Sequence, residues 1–132
     1  MQDAGILFSD KLYGLSNYDF ESAYHAVNSL LARRADFTAL FAMSDVIALG
    51  AIRALVSAGL RVPEDVQVIG FDGIRMFGDL NYVCSTIEQP VADIAEACVS
   101  MILSPDFKGL PSLICLPVTY ADGGTTLPLK QP

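Results

Sequence analysis

The sequence predicts an α/β fold in which a parallel sheet is layered with helices. Apolar runs of strand length alternate along the chain with segments whose apolar residues repeat at helical spacing. The clearest unit covers residues 38–73, where a strand, a helix and a second strand follow one another and Asp45 and Asp72 follow the two strands. Because ligands of open parallel sheets bind beyond the carboxyl ends of the strands, both acids are expected at one binding edge.

The first part of the chain is predicted to form a short strand over residues 4–8 and a helix over residues 16–34. Ser16 or Asn17 is the expected helix cap, and Arg33-Arg34 lie in the last turn, where positive charge suits the helix dipole. The helix is indicated by apolar residues at helical spacing: Phe20, Ala23, Tyr24, Val27, Leu30 and Leu31.

The central unit begins with a strand over residues 37–43. Ser44-Asp45 is expected to cap a helix that runs to about residue 58, and Gly59 is a typical helix stop. After a turn at Val-Pro-Glu-Asp, residues 66–71 are apolar almost throughout, which is typical of a strand covered on both faces.

The last part of the chain is predicted to contain a strand over residues 82–87, a helix over 90–105 and a final strand over 112–121. Pro90 suits a helix start, and the following residues form an amphipathic stripe. Gly123-Gly124 end regular structure, so residues 1–126 are expected to form one lobe and residues 127–132 a loose tail.

The composition excludes several classes of protein. Of the 132 residues, 52% are hydrophobic and 17% charged, which argues against disorder, and the apolar runs are too short to cross a membrane. The first residues show no secretory signal. The net charge of −7, with Arg33-Arg34 as the main basic pair, predicts that this chain by itself does not bind nucleic acid.

The three cysteines, Cys84, Cys98 and Cys115, lie in apolar surroundings and are expected to be buried free thiols. Their odd number and spacing fit neither a disulfide framework nor a zinc site. Free thiols are typical of a reducing compartment, so a cytoplasmic location is expected.

A long, spaced pattern resembles the effector-binding core of the lactose-repressor family of bacterial transcription regulators. Thr86-Ile87-Glu88-Gln89-Pro90 is similar to a crossover segment of that family, and Leu116-Pro117-Val118 to its closing strand. The most specific part lies within residues 38–73 and comprises residues 38–45, Ala48-Leu49-Gly50-Ala51, Gly59, Val62-Pro63-Glu64-Asp65 and residues 68–72.

The resemblance implies a three-layer lobe with a parallel sheet, of the periplasmic-binding-protein-like fold, type I. It further implies the carboxyl-terminal effector-binding lobe of a regulator whose DNA-binding headpiece is not in this chain, with residues 90–105 belonging to the partner lobe. The implied partners are a small-molecule effector, a sugar or sugar derivative, operator DNA through the headpiece, and a second copy in a homodimer. No enzymatic activity, cofactor, metal or membrane is implied.

The resemblance also names candidate ligand-binding residues. Asp72 matches the aspartate that contacts the effector, Asp45 matches the acid of an Asn-Asp pair, and Ser44 stands where the family usually has asparagine. Phe71 precedes Asp72, and Met76 lies in the loop that follows, where it is placed to close over a ligand. The simpler alternatives are that Asp45 only caps its helix and that Asp72 only forms a turn.

Two other classes of protein stay open at this point. A periplasmic sugar-transport receptor has the same architecture but requires an export signal. An enzyme or phosphoacceptor domain with Mg²⁺ held by Asp45 and Asp72 requires further acidic ligands and a lysine near the phosphate. The lysines Lys11, Lys108 and Lys130 have no evident place at that edge.

Overall fold

The structure is a computed structural model that describes residues 9–76, 81–104 and 113–128. The predicted strand at residues 4–8 and the ends of the chain beyond residue 128 lie outside this range. The elements in chain order are a short 3-10 helix Asp10–Leu12, α1 Phe20–Ala32, β1 Ala39–Phe41, α2 Asp45–Ser57, β2 Gln67–Asp72, β3 Arg75–Met76, β4 Asn81–Tyr82, β5 Thr86–Glu88, α3 Val91–Leu103 and β6 Thr119–Ala121.

The main sheet has the strand order β1-β2-β5-β6. The pairs β1–β2 and β2–β5 are parallel, and β6 is antiparallel to β5. The strands β3 and β4 form a separate antiparallel pair, which follows directly on the carboxyl end of β2. The predicted α/β fold with a parallel sheet is therefore confirmed.

The helix starts follow from their caps. In α2, the Ser44 hydroxyl accepts a hydrogen bond from the backbone N–H of Ile47 at 3.2 Å, as predicted. In α1, the cap is Asp19, which accepts from the N–H of Ser22 at 2.7 Å. The expected start at Ser16 or Asn17 is wrong, because Tyr18 has φ +59° and breaks the helical path.

The core lies between α1, α2 and the sheet. Its buried residues come from α2 and from the strands and their flanking residues, and α1 adds Ala23, Val27 and Leu30. The small residues of α2 let α1 approach closely: a Cβ at Gly50 would overlap the Phe20 carbonyl oxygen and lie 2.8 Å from the Ala23 Cβ. This position therefore requires glycine for space.

The predicted strand over residues 82–87 is divided in two. The N–H of Val83 donates to the Ile74 carbonyl at 3.1 Å and extends the β3–β4 pair, whereas the Ser85 N–H turns to the Thr125 hydroxyl at 2.8 Å. Because the two halves have different partners, the chain bends between them. The final strand is likewise shorter than predicted, since β5 offers only three residues for pairing with β6.

One further expectation, the burial of all three cysteines, is wrong. Cys84 is buried, but Cys98 and Cys115 are exposed free thiols, because α3 and the segment before β6 have little cover within the described residues. Beyond Gly124, the chain stays attached to β2: the Thr125 hydroxyl donates to the Val68 carbonyl at 2.7 Å, and the Leu127 N–H donates to the Gln67 side chain at 2.8 Å. Most of the predicted loose tail over residues 127–132 lies outside the described residues.

The close contact at Gly50 predicts that a glycine-to-alanine change there destabilises the fold, the opposite of the usual effect inside a helix. Glycine-to-alanine changes inside helices normally stabilise by about 1 kcal/mol. Here the added methyl group would press on α1, so Gly50→Ala should lower the free energy of unfolding by about 1–3 kcal/mol in urea titration. The control is Arg53→Ala at an exposed position of the same helix, expected within about 0.5 kcal/mol of the original chain. Stabilisation by Gly50→Ala would contradict the close packing.

Candidate ligand-binding site

The candidate site lies at the carboxyl ends of the parallel strands. Asp72 ends β2, Glu88 ends β5, and the strand register places these two residues side by side. Gln89 follows directly, and Ser44 lies just beyond the end of β1. The expectation that the strand ends form one edge is therefore correct. The side chains at this edge differ in burial and in their hydrogen-bond partners.

Asp72 is the predicted site residue with the most unusual backbone. Its φ is +124°, outside the usual range for a residue with a side chain, and such a conformation costs about 1–3 kcal/mol. Its carboxylate Oδ1 accepts a hydrogen bond from the Gln89 side-chain amide at 2.8 Å. Strain of this kind concentrates at functional sites, so Asp72 is kept as a candidate ligand-binding residue.

Gln89 was not predicted as a site residue. It stands between Glu88 and Pro90 in the segment that resembles the family crossover, and this position was the available signal. The structure pairs its amide with Asp72, so the edge presents a carboxylate and a carboxamide together. This combination offers both donors and acceptors to a polar ligand.

A three-membered polar cluster borders Asp72 and connects the β3–β4 pair to the main sheet. The Arg75 guanidinium donates to the Tyr82 hydroxyl at 2.7 Å and to Glu88 Oε1 at 2.9 Å, and the Tyr82 hydroxyl donates to Glu88 Oε2 at 2.8 Å. Arg75 also lies 4.7 Å from the centre of the Tyr82 ring. These hydrogen bonds, first that of Tyr82 and then that of Arg75, lower the pKa of Glu88.

Asp45 lies elsewhere than the sequence indicated. It was expected at the open edge, but its side chain is fully buried. Its Oδ2 accepts from the N–H groups of Gly73 and Ile74 at 2.9 and 2.6 Å, and its Oδ1 accepts from the Thr86 hydroxyl at 2.6 Å. Both carboxylate oxygens of Asp45 thus accept hydrogen bonds from the protein itself. The buried side chain does not reach the open edge where a ligand contact was predicted.

Space for the buried carboxylate comes from Gly70 on β2. A Cβ at Gly70 would overlap Asp45 Oδ1 and lie 3.0 Å from the Cys84 sulfur. The Cys84 thiol points at the same oxygen at 3.6 Å, and burial, together with the charge of Asp45, raises the pKa of this thiol to about 12. Cys84 is therefore an unreactive thiol that serves as a weak donor.

The other three predicted residues differ in their exposure. Ser44 is buried and is occupied as the cap of α2. Phe71 is half-buried on β2, opposite Ile87 of β5. Met76 lies on β3, where its backbone pairs with Asn81, and its side chain lies outside the described part of the chain.

An apolar groove of about 800 Å³ runs beside β1, between α1 and residues 12–18. Its lining reaches Met43, one residue before Ser44, so the groove extends to the same end of the sheet as Asp72. The Tyr18 hydroxyl lies 3.9 Å from the Met43 sulfur at this end. Apolar walls with a few polar groups nearby are typical of small-molecule sites.

Among residues 9–76, 81–104 and 113–128, no three histidine, cysteine or acidic side chains converge to hold a metal ion. In the same part of the chain, no helix has both the length and the apolar character needed to cross a membrane.

Comparison with known proteins identifies the family. Residues 1–105 match the family described as periplasmic binding protein-like domain. The chain belongs to this family. The match covers most of the chain, including the elements that form the candidate site from β1 to α3.

Individual relatives agree with the resemblance to the lactose-repressor family. The HTH-type transcriptional regulator MalR of Clostridium butyricum is 42% identical over 95 residues, which are 72% of this chain and 28% of the relative. The sugar-binding LacI-family regulator of Escherichia coli, solved with phosphate, has a TM-score of 0.78 at 28% identity, covering 96% of this chain and 46% of that chain. The regulator CelR, solved with cellobiose, has a TM-score of 0.71 at 26% identity, covering 94% and 38% respectively.

These comparisons confirm the predicted resemblance and fold. The relatives are transcriptional regulators, neither transport receptors nor enzymes. This chain spans less than half the length of each of them. The periplasmic-binding-protein-like fold is thus shown.

The polar cluster gives a prediction about the pKa of Glu88. The hydrogen bond from the Tyr82 hydroxyl is the largest cause of its lowering, so Tyr82→Phe should raise this pKa toward its ordinary value of 4.5. Carboxyl-carbon NMR titration of the chain measures it directly. Tyr120→Phe is the matched control, because its hydroxyl bonds Thr126 instead and the change should leave Glu88 unaltered. If the pKa of Glu88 were the same in Tyr82→Phe as in the original chain, the hydrogen bond between Tyr82 and Glu88 would be absent in solution.

Proposed function

We propose that this chain is the effector-sensing lobe of a bacterial transcriptional regulator of the lactose-repressor family, with a sugar or sugar derivative as effector. The observation that supports it best is the Asp72–Gln89 pair at the carboxyl edge of the sheet. The relatives that share this fold are regulators, and one of them holds cellobiose. This pair can both donate and accept hydrogen bonds, as the binding of a hydroxylated ligand requires.

Asp72 is the proposed centre of recognition. Its Oδ1 is fixed by Gln89, and its Oδ2 has no hydrogen-bond partner among the described residues. A sugar hydroxyl can donate to this second oxygen, while the Gln89 carbonyl oxygen accepts from a neighbouring hydroxyl. A hydrogen bond to a charged group contributes about 1.5–3 kcal/mol. Phe71, which precedes Asp72 on β2, is proposed to supply apolar surface beside it, and Met76 stays a candidate from the sequence.

The charges at the edge favour a neutral effector over an anionic one. Asp72 and Glu88 are neighbours, and Arg75 is already paired with Glu88 and Tyr82. A phosphate placed at Asp72 would meet a carboxylate before it met this arginine, and like charges repel. A neutral sugar can instead donate hydrogen bonds from its hydroxyl groups to these carboxylates.

The proposed mechanism requires a second lobe. The apolar side of α3 has little cover within the described residues, with Ile102 and Leu103 exposed to 73% and 74%. We propose that residues 90–105 pack on the partner lobe in the whole regulator, and that the effector is enclosed between the lobes. Closure would change the angle between them and so the placement of the DNA-binding headpieces, which lie in another part of the protein. A cytoplasmic location follows from contact with operator DNA.

No catalytic step is proposed for this lobe. Asp45 is saturated by donors, and the Cys84 thiol is buried with a raised pKa. His25 is exposed on α1, where it pairs with Glu21 at 3.4 Å, far along the chain from the strand-end residues. The residues at the edge bind and orient a ligand without a nucleophile of their own.

The proposal predicts sugar-specific effects at Asp72. In amide-detected NMR titrations of this chain with cellobiose, lactose and ribose, shifts should cluster at Phe71–Ile74 and Gln89 for at least one sugar. Asp72→Asn should weaken that binding by about tenfold or more, because a neutral amide replaces a charged acceptor. Asp36→Asn, at the amino-terminal side of β1, is the control and should leave binding unchanged. Equal affinity in Asp72→Asn and the original chain would exclude Asp72 from the site.

The uncovered side of α3 also predicts self-association of the isolated chain. We propose that α3 meets a second copy, so light scattering at micromolar concentration should show a dimer. Ile102→Glu should convert it to a monomer, whereas Val56→Glu, an exposed apolar position of α2, should not. The reverse pattern would place the interface on α2, and a monomeric original chain would contradict the proposal.

A further inference from the structure

The most completely enclosed charged group of the described chain, Asp45, has no part in the proposed ligand contacts. We infer that Asp45 is a positioning residue: by binding the amides of Gly73 and Ile74, it sets the backbone of Asp72 and thereby the carboxylate that receives the effector. This inference rests on the proposed function for its consequence in binding. The positioning itself is a property of the ligand-free chain and is measured separately.

The backbone after β2 makes an abrupt turn that needs external support. Asp72 has φ +124° and Gly73 has φ +86°, two consecutive residues outside the region that side chains favour. The turn aims the next two N–H groups, those of Gly73 and Ile74, at one oxygen of Asp45. Without this oxygen, Asp72 has no evident reason to leave the extended conformation of the rest of β2.

The second carboxylate oxygen of Asp45 connects the turn after β2 to the strand β5. Thr86 donates to Oδ1 at 2.6 Å, and its hydroxyl also lies 3.3 Å from the Gly73 N–H. Thr86 is two residues before Glu88 and three before Gln89, the partner of Asp72. The carboxylate therefore fixes the start of α2, the turn after β2 and the start of β5 relative to one another.

The chemistry of the pocket favours a carboxylate. All the groups around Asp45 are donors, two backbone amides, a hydroxyl and a thiol, and an ionised carboxylate is purely an acceptor. The side chain is fully buried, so water has no direct access to replace it. Asparagine can serve the two amides with its oxygen only if its NH₂ group faces Thr86, whose hydroxyl then has to accept.

These contacts predict a graded effect on Asp72. In the ligand-free chain, the HN–Hα coupling of Asp72 reports its φ, and the side-chain amide signals of Gln89 report its hydrogen bond. Asp45→Asn should shift both partly, and Asp45→Ala should bring Asp72 to the coupling of an extended residue and release Gln89. Asp65→Ala is the matched control, because Asp65 also accepts from a backbone amide, that of Arg61 at 2.8 Å, in a turn away from the edge.

Variants of Thr86 keep the test valid if Asp45→Ala does not fold. Thr86→Val removes the donor to Oδ1 with little change in volume and should disturb Asp72 and Gln89, whereas Thr86→Ser retains the hydroxyl and should restore them. A purely stabilising role would lower the unfolding midpoint in Thr86→Val while the Asp72 and Gln89 signals of the folded chain stayed unchanged. That result would overturn the inference, as would an unaltered Asp72 coupling in folded Asp45→Ala.

Titration with cellobiose, lactose and ribose then separates the two claims. If Asp45 positions Asp72 for binding, Thr86→Val should weaken the response to the bound sugar at least threefold, and Thr86→Ser should recover it. If the Asp72 and Gln89 signals change in the ligand-free variants but the sugar response does not, the positioning role of Asp45 is supported and Asp72 is removed from the binding site. Unchanged signals in the ligand-free variants would remove the positioning role whatever the sugar does.

Discussion

The buried carboxylate of Asp45 is the interaction on which the candidate site depends. One oxygen accepts from two consecutive amides after β2, and the other accepts from Thr86 on β5. Isolated buried charges are costly, but here every surrounding group donates to the charge. The interaction is possible because Gly70 leaves the necessary space beneath it. The backbone of Asp72, and with it the polar edge, follows from this arrangement.

Around this fixed point, the edge divides into two polar groups with different uses. Arg75, Tyr82 and Glu88 satisfy one another and connect the β3–β4 pair to β5. The side chains of Asp72 and Gln89 share one hydrogen bond, from the Gln89 amide to the Asp72 carboxylate, and keep further capacity to donate and accept. The first group is therefore structural, and the second is the one that suits a hydroxylated effector. In the proposed function, this separation holds the ligand-contacting side chains in place before a ligand arrives.

Local signals allowed much of the fold to be predicted from the sequence, because they depend on neighbouring residues. Ser44 as a cap and Gly59 as a stop bounded α2 correctly, and the apolar run of residues 66–71 indicated the strand β2, although only one of its faces is buried rather than both. The predictions failed where distant residues decide. Asp45 is buried because Gly70 makes room for it, and the strand before β5 bends because Ser85 pairs with Thr125. Gln89 was missed because only the folded chain brings it to Asp72.

The central claim is that the Asp45 carboxylate holds the turn after Asp72. NMR couplings transmitted across hydrogen bonds, from amide nitrogens to carboxyl carbons, test it most directly in the ligand-free chain. We predict correlations from the amide nitrogens of both Gly73 and Ile74 to the side-chain carboxyl carbon of Asp45. Sharp, assigned signals for both amides without these correlations, and with rapid exchange of their protons with solvent, would contradict the account.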